Sequence, residues 1–302
     1  MHRPPISVVI PCKDEETHLT ACVRSVLGWA DEILIADSGS TDNSLAIARD
    51  FCTAYPQVCR LVQREFISFG SFKAWAVNQC RYDWVFVLDA DERMTPALAH
   101  EIDQKLSQDN APDAFLVGFN HRYLGYCIRH GAWNHKVVRL FRKSAANYDA
   151  KAVHEKVVVR TGKVAVLKGR LDHWTCTCLD KWYRKKNHYT TVGALERWKQ
   201  GKRAHLWDLA LRPIAAFTKS FLFKLGFLDG VGGFLVAQDD AFTAFQTYLK
   251  LWAIARQRDS ERSLASSPAT ELPLLPPTIG HACPHRTGIT KEPTCRTTLA
   301  QS

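Results

Sequence analysis

The first ninety residues alternate short, mostly apolar runs with stretches in which apolar residues recur every three or four positions. "ISVVI" (6–10), "EILIA" (32–36), "RLVQ" (60–63) and "WVFVL" (84–88) are too short for helices and too apolar for half-exposed strands, so they read as buried strands. Between them, residues 15–28, 41–54 and 72–81 have helical spacing, and Ser40 or Thr41 can cap the second helix. This alternation predicts βαβ units, a parallel sheet and an α/β fold. From 114 to 174 the pattern turns to β-branched and aromatic residues. There "KVVRLFRK" and "EKVVVRTGKVAVLKG" predict antiparallel strands around a turn at Thr161 and Gly162.

From 179 to 256 the chain is helical in pattern and rich in aromatics. Phe217, Phe221, Leu225 and Leu228 form one predicted helical stripe with Lys219 and Lys224 beside it, and Phe242, Phe245, Leu249 and Trp252 form another. Stripes of this kind suit core packing or a helix lying in a membrane headgroup layer. No uncharged apolar run approaches the roughly 18–20 residues a membrane span needs, so no bilayer crossing is expected. Beyond Arg256, Ser, Thr and Pro replace the aromatics, which predicts a disordered tail over 259–302.

The polar residues sharpen this picture. Ligands of open α/β sheets bind beyond the carboxyl ends of the strands. Three clusters lie at such ends: "PCKDEE" after the first strand, "DSGSTD" after the second and "DADE" after the fourth. Solvated acids would scatter over both edges, whereas a site requires them on one. Asp89 and Asp91, one residue apart, can hold a hard divalent cation that also takes the oxygens of a diphosphate. Asp37 can accept hydrogen bonds from a base or ribose, and Gly39 allows close approach of the backbone.

Composition narrows the classes. The 302 residues carry a net charge of +10, which implies an anionic partner or surface without choosing among nucleic acid, phospholipid and phosphorylated substrate. Nine Trp in a basic chain leave a nucleic-acid-binding protein as a distant alternative. It is disfavoured because the aromatics keep helical spacing and the acids cluster where phosphate would be repelled. A Rossmann dehydrogenase is disfavoured because no GxGxxG follows the first strand. The start "MHRPPISVVIPC" lacks signal-peptide character, so the ten cysteines are expected reduced. Cys176 and Cys178 have no second pair at zinc-site spacing.

Taken together, "VVIPCKDEE", "IADSGSTDNS" and "FVLDADE", in this order and spacing, resemble the inverting family 2 glycosyltransferases of the GT-A fold. Within that family "AVHEKV", "DHW" and "FLDGVGG" look most similar to the bacterial lipopolysaccharide inner-core heptose glucosyltransferases. The resemblance implies a GT-A nucleotide-diphospho-sugar transferase fold, a Rossmann-like, mostly parallel sheet flanked by helices, over 1–178. Residues 1–113 would be its nucleotide-sugar half and 114–178 its acceptor half, followed by a helical membrane-surface segment over 179–258 and the tail.

It further implies a UDP-sugar donor with glucose as the expected hexose, a lipid-linked saccharide acceptor with a polyprenyl phosphate or a protein as the alternative, no nucleic acid, and a place on the anionic cytoplasmic face of the inner membrane. Carried over by position, Pro11 and Glu15 line the nucleotide pocket, and Asp37 binds the uracil. Lys73 and Asn78 sit near the diphosphate and sugar. Asp89 contacts ribose and a Mn²⁺ or Mg²⁺ cofactor, Asp91 is the main metal ligand, and His173 is a third. The family often has Asn where this chain has Asp14. An inverting transfer needs a base for the acceptor hydroxyl. The ED motif that serves many relatives is absent here, leaving Glu155 as the expected base and His154 in reserve.

Overall fold

The computed structural model describes residues 3–149, 156–160 and 162–266, with side chains in the last helix described through Arg258. The expected base residues His154 and Glu155, and residues 267–302 of the tail, lie outside the described residues.

The buried apolar runs form the strands that their composition predicts: β1 (Ile6–Cys12), β2 (Glu32–Asp37), β3 (Cys59–Gln63) and β4 (Trp84–Val87). They align in parallel in the order β3-β2-β1-β4. Helices α1 (Leu19–Val26), α2 (Ser44–Ala54) and α3 (Phe69–Asn78) connect them. Ile6, Val8, Ile10, Ile33, Ile35 and Phe86 pack on one face of this sheet against α1. Val9, Leu34, Val85 and Val87 pack on the other against Phe72, Ala76 and Val77 of α3. Both faces are covered, which is why these strands show no polar alternation. The cap of α2 differs from expectation. Asn43 is its N-cap residue, and the Asp42 carboxylate accepts from Ser44 N at 2.9 Å. Ser40 and Thr41 are instead bound to Asp14: Ser40 Oγ accepts its backbone N–H, and Thr41 donates to its carboxylate.

After β4 come β5 (Glu92–Arg93), α4 (Pro96–Leu106), β6 (Ala114–Tyr123), β7 (Tyr126–Ile128), β8 (Lys136–Arg142), β9 (Ala146–Tyr148), β10 (Val157–Val159) and β11 (Val164–Cys176). The sheet continues β4-β8-β6-β11-β5, with β8 antiparallel to both β4 and β6. The expected hairpin around Thr161 and Gly162 does not form. Gly162 does turn the chain at φ +74, but β10 pairs with β9 in a separate two-stranded sheet and β11 runs parallel to β6. β11 is drawn into the main sheet because Leu167 and Leu171 bury against the large core and Gly169 lies against α4. A Cβ at Gly169 would stand 2.7 Å from Leu98 Cα.

The C-terminal segment consists of α5 (Leu179–Lys199), α6 (Leu206–Thr218), a π-helical turn (Lys219–Phe223), a 3₁₀ turn (Gly226–Asp229) and α7 (Gly230–Ser266). α7 extends its helix to Ser266, past the start of the expected tail. The first predicted stripe is broken. Phe217 and Phe221 pack inward on Phe234, with ring centroids 5.8 and 6.1 Å away, whereas Leu225 adopts a left-handed conformation at φ +60 and Leu228 lies in the 3₁₀ turn beyond the helix. Among the described residues no single helix is long and apolar enough to cross a membrane. The eight described cysteines are free.

Candidate active site

β4 and β6 both run antiparallel to β8, so the carboxyl ends of β1, β2, β4, β6 and β11 share one sheet edge. The three acidic clusters open on this edge. At the end of β2, the nearly inaccessible Asp37 carboxylate accepts from Gly39 N at 2.9 Å and Ser40 N at 3.2 Å, which shapes the following turn. Gly39 is needed there for its φ of +93; a Cβ would meet nothing within 4 Å. A positive φ of this size favours glycine whatever space surrounds it. The loop after β1 is bound to this turn, with Glu15 N donating to Ser44 Oγ at 2.7 Å and Asp14 Oδ1 accepting from Thr41 N at 2.7 Å. Asp14 is held at φ 56 in doing so. Pro11, half-buried, lies opposite Ala36 in the β1–β2 register.

Glu15, Asp89, Asp91 and Glu92 gather at the next position along the edge. Burial pushes the Glu15 carboxyl up to about 7, with the Asp91 charge adding to the shift and Lys185 and Lys181 of α5 opposing it. Asp89 follows β4 directly. Burial would raise its carboxyl, but Arg139 and Lys73 outweigh it and hold the group well below the ordinary carboxylate range. Lys73 Nζ lies 2.9 Å from one Asp89 oxygen and Arg139 Nη2 lies 2.7 Å from the other. Arg139 also pairs with Glu92, whose second oxygen accepts from Asp89 N at 3.0 Å. Despite this partner, burial pushes Glu92 up to about 7.

His173 reaches the acids through strand pairing. The short β5 is antiparallel to β11 and sets His173 opposite Glu92, while Trp174 N donates to the Asp91 carbonyl at 2.9 Å. His173 Nε2 then lies 3.3 Å from Asp91 Oδ2. Burial disfavours the imidazolium, but this bond wins and raises the His173 pKa; the same contact lowers that of Asp91. Beside it, burial and the neighbouring His173 push His121 down to about 3, and the His121 ring bonds Thr175 Oγ1 at 2.9 Å.

Among the described residues, one group of acids and histidines has ligand atoms within 4.8 Å of one another: Asp91, Glu92 and His173. Two carboxylates and an imidazole suit a Mn²⁺- or Mg²⁺-sized ion that keeps open positions for diphosphate oxygens. His173 Nδ1 is buried with no hydrogen-bond partner among the described residues, and one ligand atom from each of the three side chains lies within 4.8 Å of the others. The donors therefore fit the expected metal. Asp91 and His173 come together as predicted. Asp89 is bound by Lys73 and Arg139 and Glu92 by Arg139, and Glu92 is the third member of the group.

Lys73 reaches the cluster through Asp89, whereas Asn78, at the end of α3, bonds Asn147 at 3.1 Å rather than any acid. Sequence reasoning missed Glu92 and Arg139. The available signal was Arg139 itself, a charge inside the apolar run "KVVRLF", where a buried cation requires an acid partner.

The family model for glycosyl transferase family 2 matches residues 7–160, just over half of the chain. The lipopolysaccharide core biosynthesis glycosyltransferase LpsC of Rhizobium meliloti (strain 1021) is 30% identical over 254 residues, covering 82% of this chain and 92% of its own. An uncharacterised glycosyltransferase of Rickettsia prowazekii (strain Madrid E) is 30% identical over 274 residues, covering 84% and 87%. Among solved structures, the mannosyltransferase PcManGT of Pyrobaculum calidifontis, in complex with GDP-Man and Mn²⁺, has a TM-score of 0.49 at 13% identity, covering 88% of this chain and 81% of that one. S. aureus TarS 1-349 in complex with UDP-GlcNAc has a TM-score of 0.44 at 13% identity, covering 84% and 92%. On the family model and the 30% identity to LpsC, the chain belongs to glycosyl transferase family 2, and it has the GT-A fold.

Proposed function

We propose that this glycosyltransferase moves a hexose, glucose as the first choice, from a UDP-sugar to a heptose of the lipopolysaccharide inner core, with inversion, at the cytoplasmic face of the inner membrane. The observation that carries the reading is the Asp91, Glu92 and His173 group beside the Asp37 turn, on the sheet edge where a nucleotide diphosphate binds. The 30% identity to a lipopolysaccharide core glycosyltransferase supports the acceptor class.

Asp91, Glu92 and His173 would hold Mn²⁺ or Mg²⁺, which when bound supplies charge neutralisation for the departing diphosphate. Lys73 and Arg139 fix Asp89 so that its carboxylate stays ionised at the pocket wall. Asp37, Pro11 and Glu15 would border the space for the base. Glu155, or His154 in reserve, would take the proton of the attacking hydroxyl. Their segment joins β9 to β10, where Asp149 N donates to the Lys156 carbonyl at 2.9 Å. The basic helical segment over 179–258 would hold the enzyme on the anionic membrane surface near a lipid-linked acceptor.

The test is UDP release from a UDP-sugar panel with a deacylated heptose-containing core oligosaccharide, in Mn²⁺ and in EDTA. Glucose transfer to heptose with an inverted anomeric centre supports the proposal. Transfer confined to a polyprenyl phosphate or a protein, or no turnover with any UDP-sugar, overturns it.

A further inference from the structure

The surface that best merits a partner is the elbow where α6 turns into α7. Trp207, Leu211 and Ile214 recur at helical spacing along α6 and are 77%, 60% and 63% exposed. At the end of the first limb Phe223 is 80% exposed, and past the break Leu228 and Val231 are 56% and 60% exposed. Apolar residues exposed singly are ordinary, but so many large ones exposed within about twenty-five residues of one elbow mark an interaction surface. The two limbs, Leu206–Phe223 and Gly226–Arg258, together have the composition of a membrane segment but are bent by 71°.

The bend is built in. The Asp229 carboxylate accepts from Arg129 N, His130 N and His130 Nδ1 at 2.9, 2.7 and 2.7 Å, and Gly131 N donates to the Lys224 carbonyl at 2.9 Å. Ser220 Oγ donates to Asp240 at 2.8 Å. The corner is closed by glycine: a Cβ at Gly226 would stand 2.7 Å from the Ser220 carbonyl oxygen, and one at Gly233 would overlap the Gly226 carbonyl. Straightening the elbow into a span would break these bonds, so its polar inner side stays on the protein and its apolar outer side stays turned out. Charge selects the occupant. From 199 to 228 the chain carries Lys199, Lys202, Arg203, Arg212, Lys219 and Lys224 against a single acid, Asp208, itself paired with Arg212 at 2.9 Å. Apolar residues flanked by cations match the acyl layer and anionic headgroups of a bilayer, rather than the mixed polar rim of a protein interface.

We propose that the α6–α7 elbow is a monotopic wedge that inserts its outer face into the acyl layer of one leaflet of an anionic bilayer. It rests on the membrane reading above but goes further, since surface binding alone would be purely electrostatic. The full chain is floated with phosphatidylglycerol–phosphatidylethanolamine vesicles, with and without brominated acyl chains. Insertion predicts flotation at low salt, retention after a 1 M NaCl wash that shortens electrostatic reach to about 3 Å, and fluorescence quenching by brominated lipid that is lost in Trp207→Phe. The double variant Ile214→Glu with Phe223→Glu, whose thermal melt and UDP binding without lipid should match the parent, should float at low salt and be washed off by 1 M NaCl.

Complete release of the parent by salt would sink insertion while leaving surface binding standing, and no flotation at low salt would sink both. A lipid-free dimer that shields Trp207 from brominated lipid would assign the patch to a second copy and overturn the proposal. Loss of turnover with intact flotation would count against the proposed function alone.

Discussion

Replacing Arg139 by Met isolates the electrostatic centre of the site from its shape. Arg139 is 7% exposed and is the shared partner of Asp89 and Glu92, so its removal leaves two acids side by side with only Lys73 in compensation. Breaking a buried ion pair by removing one partner costs about 3–5 kcal/mol. Met keeps an apolar stem of similar volume but loses the guanidinium that lies 5.5 Å from the Phe119 ring centroid, so the loss should be mainly electrostatic. At about 2–4 °C per kcal/mol the melting temperature should fall on the order of 10 °C.

The effect should depend on pH. Asp89 is held below its ordinary pKa by Arg139 and Lys73, so its contribution is present above the unfolded carboxylate value and fades as pH drops through the folded one. In the variant that contribution is largely missing, so the difference from the parent should be full from pH 8 down to about pH 5 and shrink only as pH falls below the unfolded carboxylate value of about 3.9. Urea denaturation of metal-free protein at pH 8 and at about pH 3 measures both. A loss below about 1 kcal/mol at pH 8, or one that does not shrink in acid, would refute the ion-pair reasoning.

Other expectations concern different parts of the chain. Glu155→Gln should lower the transfer rate by about 10²–10⁴ with UDP affinity unchanged, read by single-turnover kinetics and titration; near-normal transfer would pass the base role to His154. Glu15→Gln should stabilise the metal-free protein at pH 8 by about 1–3 kcal/mol. The parent carboxyl, raised to about 7 by burial, favours folding below its unfolded pKa, and that benefit is lost as pH rises through 7. Urea curves at pH 5 and 8 should therefore diverge only at the higher pH. Gly169→Ala should cost about 1–3 kcal/mol because its Cβ would press on the α4 backbone at Leu98, and an unchanged melt would show that α4 can shift freely.

The donor half was legible because its signals are local. A strand buried on both faces must be apolar throughout, and the polar residues that follow β1, β2 and β4 fall together once the sheet is parallel. His173 was legible only through resemblance, since its position depends on β5 pairing with β11, a contact between residues eighty apart. The same non-locality hid the parallel β6–β11 pairing. A Thr-Gly turn between two β-branched runs is good evidence for a hairpin, yet the strands leave Gly162 for different sheets. Asp89 was assigned to the metal because the DxD spacing offers it. Arg139, fifty residues away, binds that carboxylate and Glu92 alike, and the group whose ligand atoms lie together is Asp91, Glu92 and His173. The elbow was invisible to periodicity, because a helical pattern continues through Leu225 while the backbone there turns left-handed.

The central claim is that Asp91 anchors a divalent ion which the nucleotide diphosphate shares, and calorimetric titration of UDP tests it most directly. With Mn²⁺ present UDP should bind the parent. In EDTA, and in Asp91→Asn with Mn²⁺, binding should weaken by at least tenfold, about 1.4 kcal/mol, while the thermal melt of the variant stays cooperative. Equal UDP affinity in Mn²⁺ and EDTA, or an Asp91→Asn variant that binds UDP as the parent does, would contradict it.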